Sequence, residues 1–328
     1  MPPPCPTGTR CALDFIVSLS ELILLELWKQ RQDGAVIDVA VIGGSVAGLQ
    51  AALTLGRARR RVVLFDDGKA RNRTAEHVHN FLGVEDTAPG ELLALGRRQL
   101  REYDVEVRDT RVEDVTADGD GFVVEGERVR SVVLATGLRD ELPDVPGVWE
   151  SWGRSVVACP HCHGWEVRDE PLVQLGMRGM PDRSVARALL LSRWSNDVVL
   201  CTDGDELGAD HLTKLDKAGV TIRTERVEAV QPAEDNVRVL LKGGDTLLPR
   251  AVFVVVRQHQ QSDLATNLGC DVVDGAVAVD SSGRTSVPGV YAVGTTAVPA
   301  LFAIGAAGHA STTAVALHAD LLDRDLSS

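Results

Sequence analysis

The stretch that most constrains this chain is Val36 to Asp66. Val36 to Ile42 (VIDVAVI) is a short apolar run rich in β-branched residues, the pattern of a buried strand. It runs directly into Gly43-Gly44-Ser45-Val46-Ala47-Gly48, a helical stretch reaches about Arg57, and a second strand, Arg61 to Phe65, ends at Asp66. Strand, glycine turn, helix, strand and an acid 23 positions after the first glycine form one βαβ unit. Each small residue has a physical task. Gly43 permits the tight turn, and Gly48 lets helix and strand pack closely. The helix N-terminus would face a pyrophosphate and Asp66 would accept from a ribose hydroxyl. Ser45 occupies the usual second glycine position, still small enough for a close approach. The competing reading is a glycine turn that serves packing alone.

Other parts of the chain narrow the class. Its 328 residues allow two ordinary domains, and 44% hydrophobic with 25% charged residues is a globular balance. A net charge of −13 repels phosphate backbones and 4% aromatics make a poor stacking platform, so nucleic-acid binding is not expected. Residues 1–12 carry four prolines and no periodicity, which predicts disorder. Asp14 to Trp28 is apolar but interrupted by three acids, too short to span a bilayer and better suited to an amphipathic helix. Without a clear secretory signal, the expectation is a cytoplasmic protein with no membrane contact.

Six cysteines stand at 5, 11, 159, 162, 201 and 270, too few for a disulfide scaffold. Only Cys159 and Cys162 are close, within Cys159-Pro160-His161-Cys162-His163-Gly164. Three readings compete. C-x-x-C-H is the attachment motif of c-type haem, but nothing around it suits an exported haem domain. Zinc would want four ligands, and no second pair exists, so no metal is expected. A redox dithiol needs only the two neighbouring thiols, one with a lowered pKa. His163, adjacent to Cys162, suits a proton-transfer role, against the alternative of a packing residue.

Val132 to Gly137 (VVLATG) and Gly283 to Gly294 (GRTSVPGVYAVG) resemble the flavoprotein disulfide reductase superfamily, whose FAD domain is split around an inserted one. The C-x-x-C pair, 22 positions after Gly137, lies where low-molecular-weight thioredoxin reductases carry theirs. GGSVAGL (43–49), RNR (71–73), HNFLG (79–83) and CPHCHGWE (159–166) look closer to the dithiol oxidases related to the gliotoxin and holomycin enzymes. The resemblance implies an α/β protein of two Rossmann-like three-layer domains. Residues 36–153 and 278–328 would bind FAD, 154–277 would form the central redox domain, and 1–35 an extension. It also implies a homodimer. Cofactor contacts are expected from Gly43, Gly44, Ser45, Ala47, Gly48, Asp66, Arg73, His79, Asn80, Ala135, Thr136, Gly137, Gly294, Thr295 and Ala303. Cys159, Cys162 and His163 would carry the chemistry, with Cys159 attacked by substrate and Cys162 facing the flavin.

Three departures from the thioredoxin reductase pattern matter. His163 replaces the acid that usually follows the second cysteine, which favours taking protons from an incoming dithiol. Thr295-Thr296 follow Gly294 where the family has an acid for the ribityl-phosphate part of FAD. In the central domain Gly176 and Gly179 are misspaced for a nicotinamide cofactor, with Met177, Arg178 and Met180 crowding the turn. The following strand ends in Asp203-Gly204-Asp205-Glu206 rather than arginines. The expected activity is FAD-dependent oxidation of a small-molecule dithiol, with O2 as electron acceptor and residues 74–92 and 255–267 bordering the access route. The alternatives are a thioredoxin reductase-like enzyme fed by NADPH or ferredoxin, and a non-catalytic flavoprotein fold.

Overall fold

A computed structural model describes residues 36–234 and 236–327. The expected disorder of 1–12, the amphipathic helix at 14–28, Cys5 and Cys11 lie outside them. The chain first lays down β1 (Ile37–Ile42), α1 (Val46–Arg57), β2 (Val62–Phe65), α2 (Pro89–Leu100) and β3 (Glu106–Arg108). An antiparallel meander follows, β4 (Val115–Asp118), β5 (Gly121–Val124) and β6 (Glu127–Leu134). It then leaves through β7 (Leu138–Glu141) to β8 (Val156–Val157) and α3 (Pro160–His163). A second alternating series comprises β9 (Leu172–Leu175), α4 (Pro181–Leu191), β10 (Val198–Cys201), α5 (Ala209–Lys217) and β11 (Thr221–Arg223). After β12 (Val227–Ala233), β13 (Asn236–Leu241), β14 (Thr246–Leu247) and β15 (Ala251–Val254), the chain returns through β16 (Arg257–Gln260). It closes with α6 (Leu264–Asn267), the ribbon β17 (Val272–Val273) and β18 (Ala276–Val277), β19 (Val290–Ala292) and α7 (Ala303–Ser327).

Two Rossmann-like sheets result. The first has the order β3-β2-β1-β6-β5-β4, with β19 joining β6 in parallel register, Val290 opposite Val132. The second, β11-β10-β9-β15-β8, is parallel throughout. Buried on both faces, its strands read as near-continuous apolar runs such as LVQL and AVFV. The C-terminal helix is the longest among the described residues. It starts at Ala303, after a 3-10 turn at Gly294–Thr296, and runs to Ser327 because Ala310, Ala314, Leu317 and Leu321 continue one buried face over α1.

The passage between the sheets differs from the expected boundaries at 153/154 and 277/278. The chain crosses at β7 and recrosses at β16, which pair with each other, Arg257 opposite Glu141. Val145 and Val148 already pack in the core of the second sheet, while Leu264, Ala265, Cys270 and Val277 have returned to that of the first. The apolar positions on either side of this polar ribbon place the crossings. Among the described residues, no helix is long and apolar enough to cross a membrane.

Candidate active site

The glycine turn sits where the strand order reverses, between β1 and β6, the usual ligand position in open α/β sheets. Gly43 has φ +111°, and a Cβ there would lie 2.3 Å from the Ala135 carbonyl oxygen. A Cβ on Gly48 would lie 1.7 Å from the Gly43 oxygen, and one on Gly44 would meet the Asp66 carboxyl at 2.4 Å. Only hydrogen fits at these positions, which leaves the backbone free to approach a phosphate. Ser45 caps α1 through its backbone carbonyl alone, its hydroxyl making no capping bond. Asp66, paired with Arg97, stands at the end of β2, and an open cleft lined by Gly43, Asp67, Arg111, Thr136 and Gln261 lies beside it.

The C-terminal turn closes on this cradle. A Cβ on Gly294 would lie 2.7 Å from that of Ala47, so the two small residues let the turn sit on α1. The Thr295 hydroxyl faces Gly137, and Thr296, fully buried, accepts from the Gly137 N–H at 2.7 Å. The Gly294 N–H donates to His309 Nδ1 at 3.2 Å. Burial holds the His309 pKa below its ordinary value, consistent with a neutral ring whose proton is on Nε2. Thr296 and His309 are further functional candidates, outside the expected cofactor residues. Their partners are remote in the chain, and no local pattern marks them. The expected cofactor residues Gly43, Gly44, Ser45, Ala47, Gly48, Asp66, Ala135, Thr136, Gly137, Gly294 and Thr295 thus gather around one cradle, which fits FAD. Arg73 is not drawn into it by any contact: its guanidinium donates to Ala70 in its own turn, 3.3 Å away.

Cys159 and Cys162 form a disulfide, with Cα atoms 5.3 Å apart. Cys159 precedes the single turn α3, begun by Pro160, whose missing N–H is no loss at a first helical position. Trp194 backs this turn: a Cβ on Gly164 would touch its indole at 3.0 Å, and the His161 ring meets it edge-on at 5.4 Å. On another side His161 lies 6.0 Å from the Phe302 ring, beside Ala303 at the start of α7. His161 therefore joins the redox turn to the helix that returns from the first sheet.

His163 Nδ1 lies 3.4 Å from the Cys159 carbonyl oxygen. A carbonyl only accepts, so this nitrogen carries the proton and Nε2 keeps a free lone pair. Burial pushes the His163 pKa down; the Cys159 carbonyl and the Glu166 charge oppose that, and His79 adds to it. His79 and Asn80, also expected beside the cofactor, both bond to Glu85. His79 sits 3.0 Å from Glu85 and 3.7 Å from Glu166. Cys201 and Cys270 are buried free thiols, and burial pushes Cys201 up to about 12, which makes it a poor nucleophile.

The second glycine turn, after β9, is filled from within. The Gly179 N–H donates to the Asp205 carboxylate at 3.0 Å, and the Met177 N–H to Ser184 Oγ at 3.3 Å. Arg178 lies 3.7 Å from Asp203, and its carbonyl accepts from Arg257 at 3.0 Å.

Two Rossmann-like sheets, a glycine cradle and a C-x-x-C disulfide define a thiol–disulfide oxidoreductase of the flavoprotein class. A sequence model of the pyridine nucleotide-disulphide oxidoreductase family matches residues 37–317, and the chain belongs to that family, whose thioredoxin reductase-like members bind FAD. It is similar to the "Probable thioredoxin reductase" of Arthroderma benhamiae, 30% identical over 87% of this chain and 80% of that one. It is also 29% identical to thioredoxin reductase aclD of Aspergillus oryzae, over 87% of this chain and 96% of the relative. Among solved structures, HlmI is 42% identical with a TM-score of 0.84, over 89% of this chain and 94% of that one.

Proposed function

We propose that this enzyme oxidises a small-molecule dithiol to its intramolecular disulfide and passes the electrons to O2. The observation that carries this reading is the Asp205 carboxylate on the Gly179 N–H. A nicotinamide cofactor would place a phosphate on such a donor, and a fixed carboxylate both occupies and repels it. Electrons then enter from the thiol side.

The residues at the disulfide suit that direction. A substrate thiolate attacks Cys159 Sγ, breaks its bond to Cys162 and leaves Cys162 as a thiolate. His163 Nε2 takes the proton of the second substrate thiol, which attacks the substrate sulfur of the mixed disulfide. The product disulfide departs and Cys159 is left reduced. Burial of His163 keeps its ring neutral, and so able to act as a base, near neutral pH. FAD, when bound, supplies the two-electron acceptor that returns the pair to its disulfide and the route to O2. The assignment of attack to Cys159 and of the flavin-facing role to Cys162 follows the family resemblance.

In the same reading the body built on the first sheet holds FAD through the cradle residues and Thr296, and the body built on the second presents the disulfide. The protein works in the cytoplasm as a homodimer, without nucleic acid or membrane. A second reading, reduction of a disulfide with electrons from NADPH or ferredoxin, is favoured by the names of the two thioredoxin reductase relatives. Purified enzyme mixed with small dithiols in air distinguishes them. Peroxide formation independent of NADPH is expected; turnover strictly dependent on NADPH or ferredoxin would sink the oxidase reading.

A further inference from the structure

Oxidation of a dithiol releases two electrons and two protons, and the protons need their own way out. We infer that Glu166 and His79 form a proton outlet for His163, ending in solvent at Glu85; this rests on the dithiol-oxidation reading. His163 commits its Nδ1 proton to the Cys159 carbonyl, so Nε2 takes up one proton at a time and must unload it in every cycle. Its ring is partly buried, which makes the charged form costly to hold.

The geometry offers a graded path. Glu166 lies three residues beyond His163, with 42% of its side chain exposed, and its charge favours the imidazolium. Across from it, His79 is only 14% exposed and sits between two carboxylates from different segments. Its Nδ1 donates to Glu85 at 3.0 Å, which leaves Nε2 as an acceptor 3.7 Å from Glu166. Two acceptors facing each other stand apart at rest, and a proton arriving between them makes the contact favourable. Glu85 itself is 60% exposed. It is fixed by accepting from the Asn80 N–H at 3.1 Å, and Asn80 takes the left-handed conformation, φ +59°. The titratable groups facing His79 are Glu85 on its own loop, the His77 ring at 6.0 Å, and Glu166 and His163 from the redox segment. His77 is occupied with Asp86 at 3.1 Å.

The transfer balances. The substrate thiol proton moves to His163 Nε2, then to a Glu166 oxygen, then to His79 Nε2, while His79 releases its Nδ1 proton to Glu85 and water. Tautomer exchange resets the ring. His79 and Glu166 are thus positioning and relay residues acting through His163.

The test uses FAD-loaded enzyme with dithiothreitol as the dithiol. In weakly buffered solution His79→Gln and Glu166→Gln should slow turnover about tenfold, and added imidazole should restore it, as an external base does when an internal one is lost. Glu166→Asp should keep most of the rate. Titration of the His163 ring by NMR should move in opposite directions, downward in Glu166→Gln, which removes a negative neighbour, and upward in His79→Gln, which removes the charge that His79 carries once Nε2 is protonated. Rates indifferent to imidazole, or a His163 titration unmoved in both variants, would overturn the relay. A wild-type enzyme that oxidises no small dithiol would instead overturn the oxidation reading, while the two titration shifts would still decide the relay.

Discussion

The molecule contains the same βα turn twice, and the two copies have opposite contents. After β1, three glycines leave room that any Cβ would fill, and Asp66 waits at the end of the neighbouring strand. After β9, Gly179 has already given its N–H to Asp205, Met177 is buried in the turn, and Arg178 is held between Asp203 and Arg257. Both turns join a parallel strand to a helix, so the fold does not decide which one takes a cofactor. Side chains supplied from the adjacent strand end decide it.

The harshest way to break the comparison is to fill the empty cradle. Gly48→Val adds a Cβ whose position is 1.7 Å from a backbone oxygen, and neither helix nor strand has freedom to yield. Protein purified with this substitution should carry no flavin, read as absorbance near 450 nm per chain, and oxidise no dithiol. Flavin retained at full stoichiometry would mean that FAD binds elsewhere.

If the second turn is closed, all electrons must enter through the disulfide, and losing the base there has no bypass. His163→Gln should lower dithiol oxidation about 100-fold, within the usual worth of a positioned base, with NADPH restoring nothing. The pH profile gives the sign. The base works only when neutral, and its pKa is held below the ordinary histidine value, chiefly by burial. Wild-type activity should therefore persist below pH 6.5 and fall only as pH drops through this lowered pKa. The variant should show no such limb. A profile unchanged by the substitution would assign the proton transfer to another group.

What the sequence made legible follows from how local each constraint is. A positive φ at Gly43 and a helix pressed on a strand at Gly48 demand glycine whatever the rest of the fold does, so the first turn could be read directly. The Cys159/Cys162 spacing was equally self-contained. The Asp205 carboxylate over Gly179 is 26 residues from its partner, Thr296 is 159 from Gly137, and His79 meets Glu166 from a different segment altogether. Acidic character at 203–206 was visible, but its hydrogen bond into the turn depends on β9 and β10 lying side by side. The crossing between the sheets carries no local signal for a related reason. LRDE and RQHQ carry no apolar run, and only their mutual pairing makes them strands.

Opening the closed turn should have a smaller effect than closing the open one. Asp205→Ala removes the carboxylate from Gly179 and one negative charge from the phosphate position. NADPH binding, followed by calorimetry, should tighten about tenfold from a very weak start, the worth of one charge at partly screened contact distance. It should remain too weak for turnover, because Met177 still fills the turn and Asp203 still stands at the strand end. Efficient NADPH-driven flavin reduction in the wild type would show that the second turn was never closed.

The mildest test sets the two glycine types against each other. Gly43 and Gly179 both have positive φ, +111° and +73°, but only Gly43 is enclosed. The nearest atom to a Cβ on Gly179 is an Arg257 nitrogen at 3.9 Å, the end of a flexible side chain. Alanine at 179 therefore meets the backbone cost of the left-handed region without a clash, about 1–2 kcal/mol. In a chain of this size that lowers Tm by about 1–3 °C. On the oxidase reading, flavin content and dithiol oxidation should stay at wild-type levels. A Gly179→Ala enzyme that kept its stability but lost activity would place a ligand in the second turn after all, and the contrast between the two copies would fail.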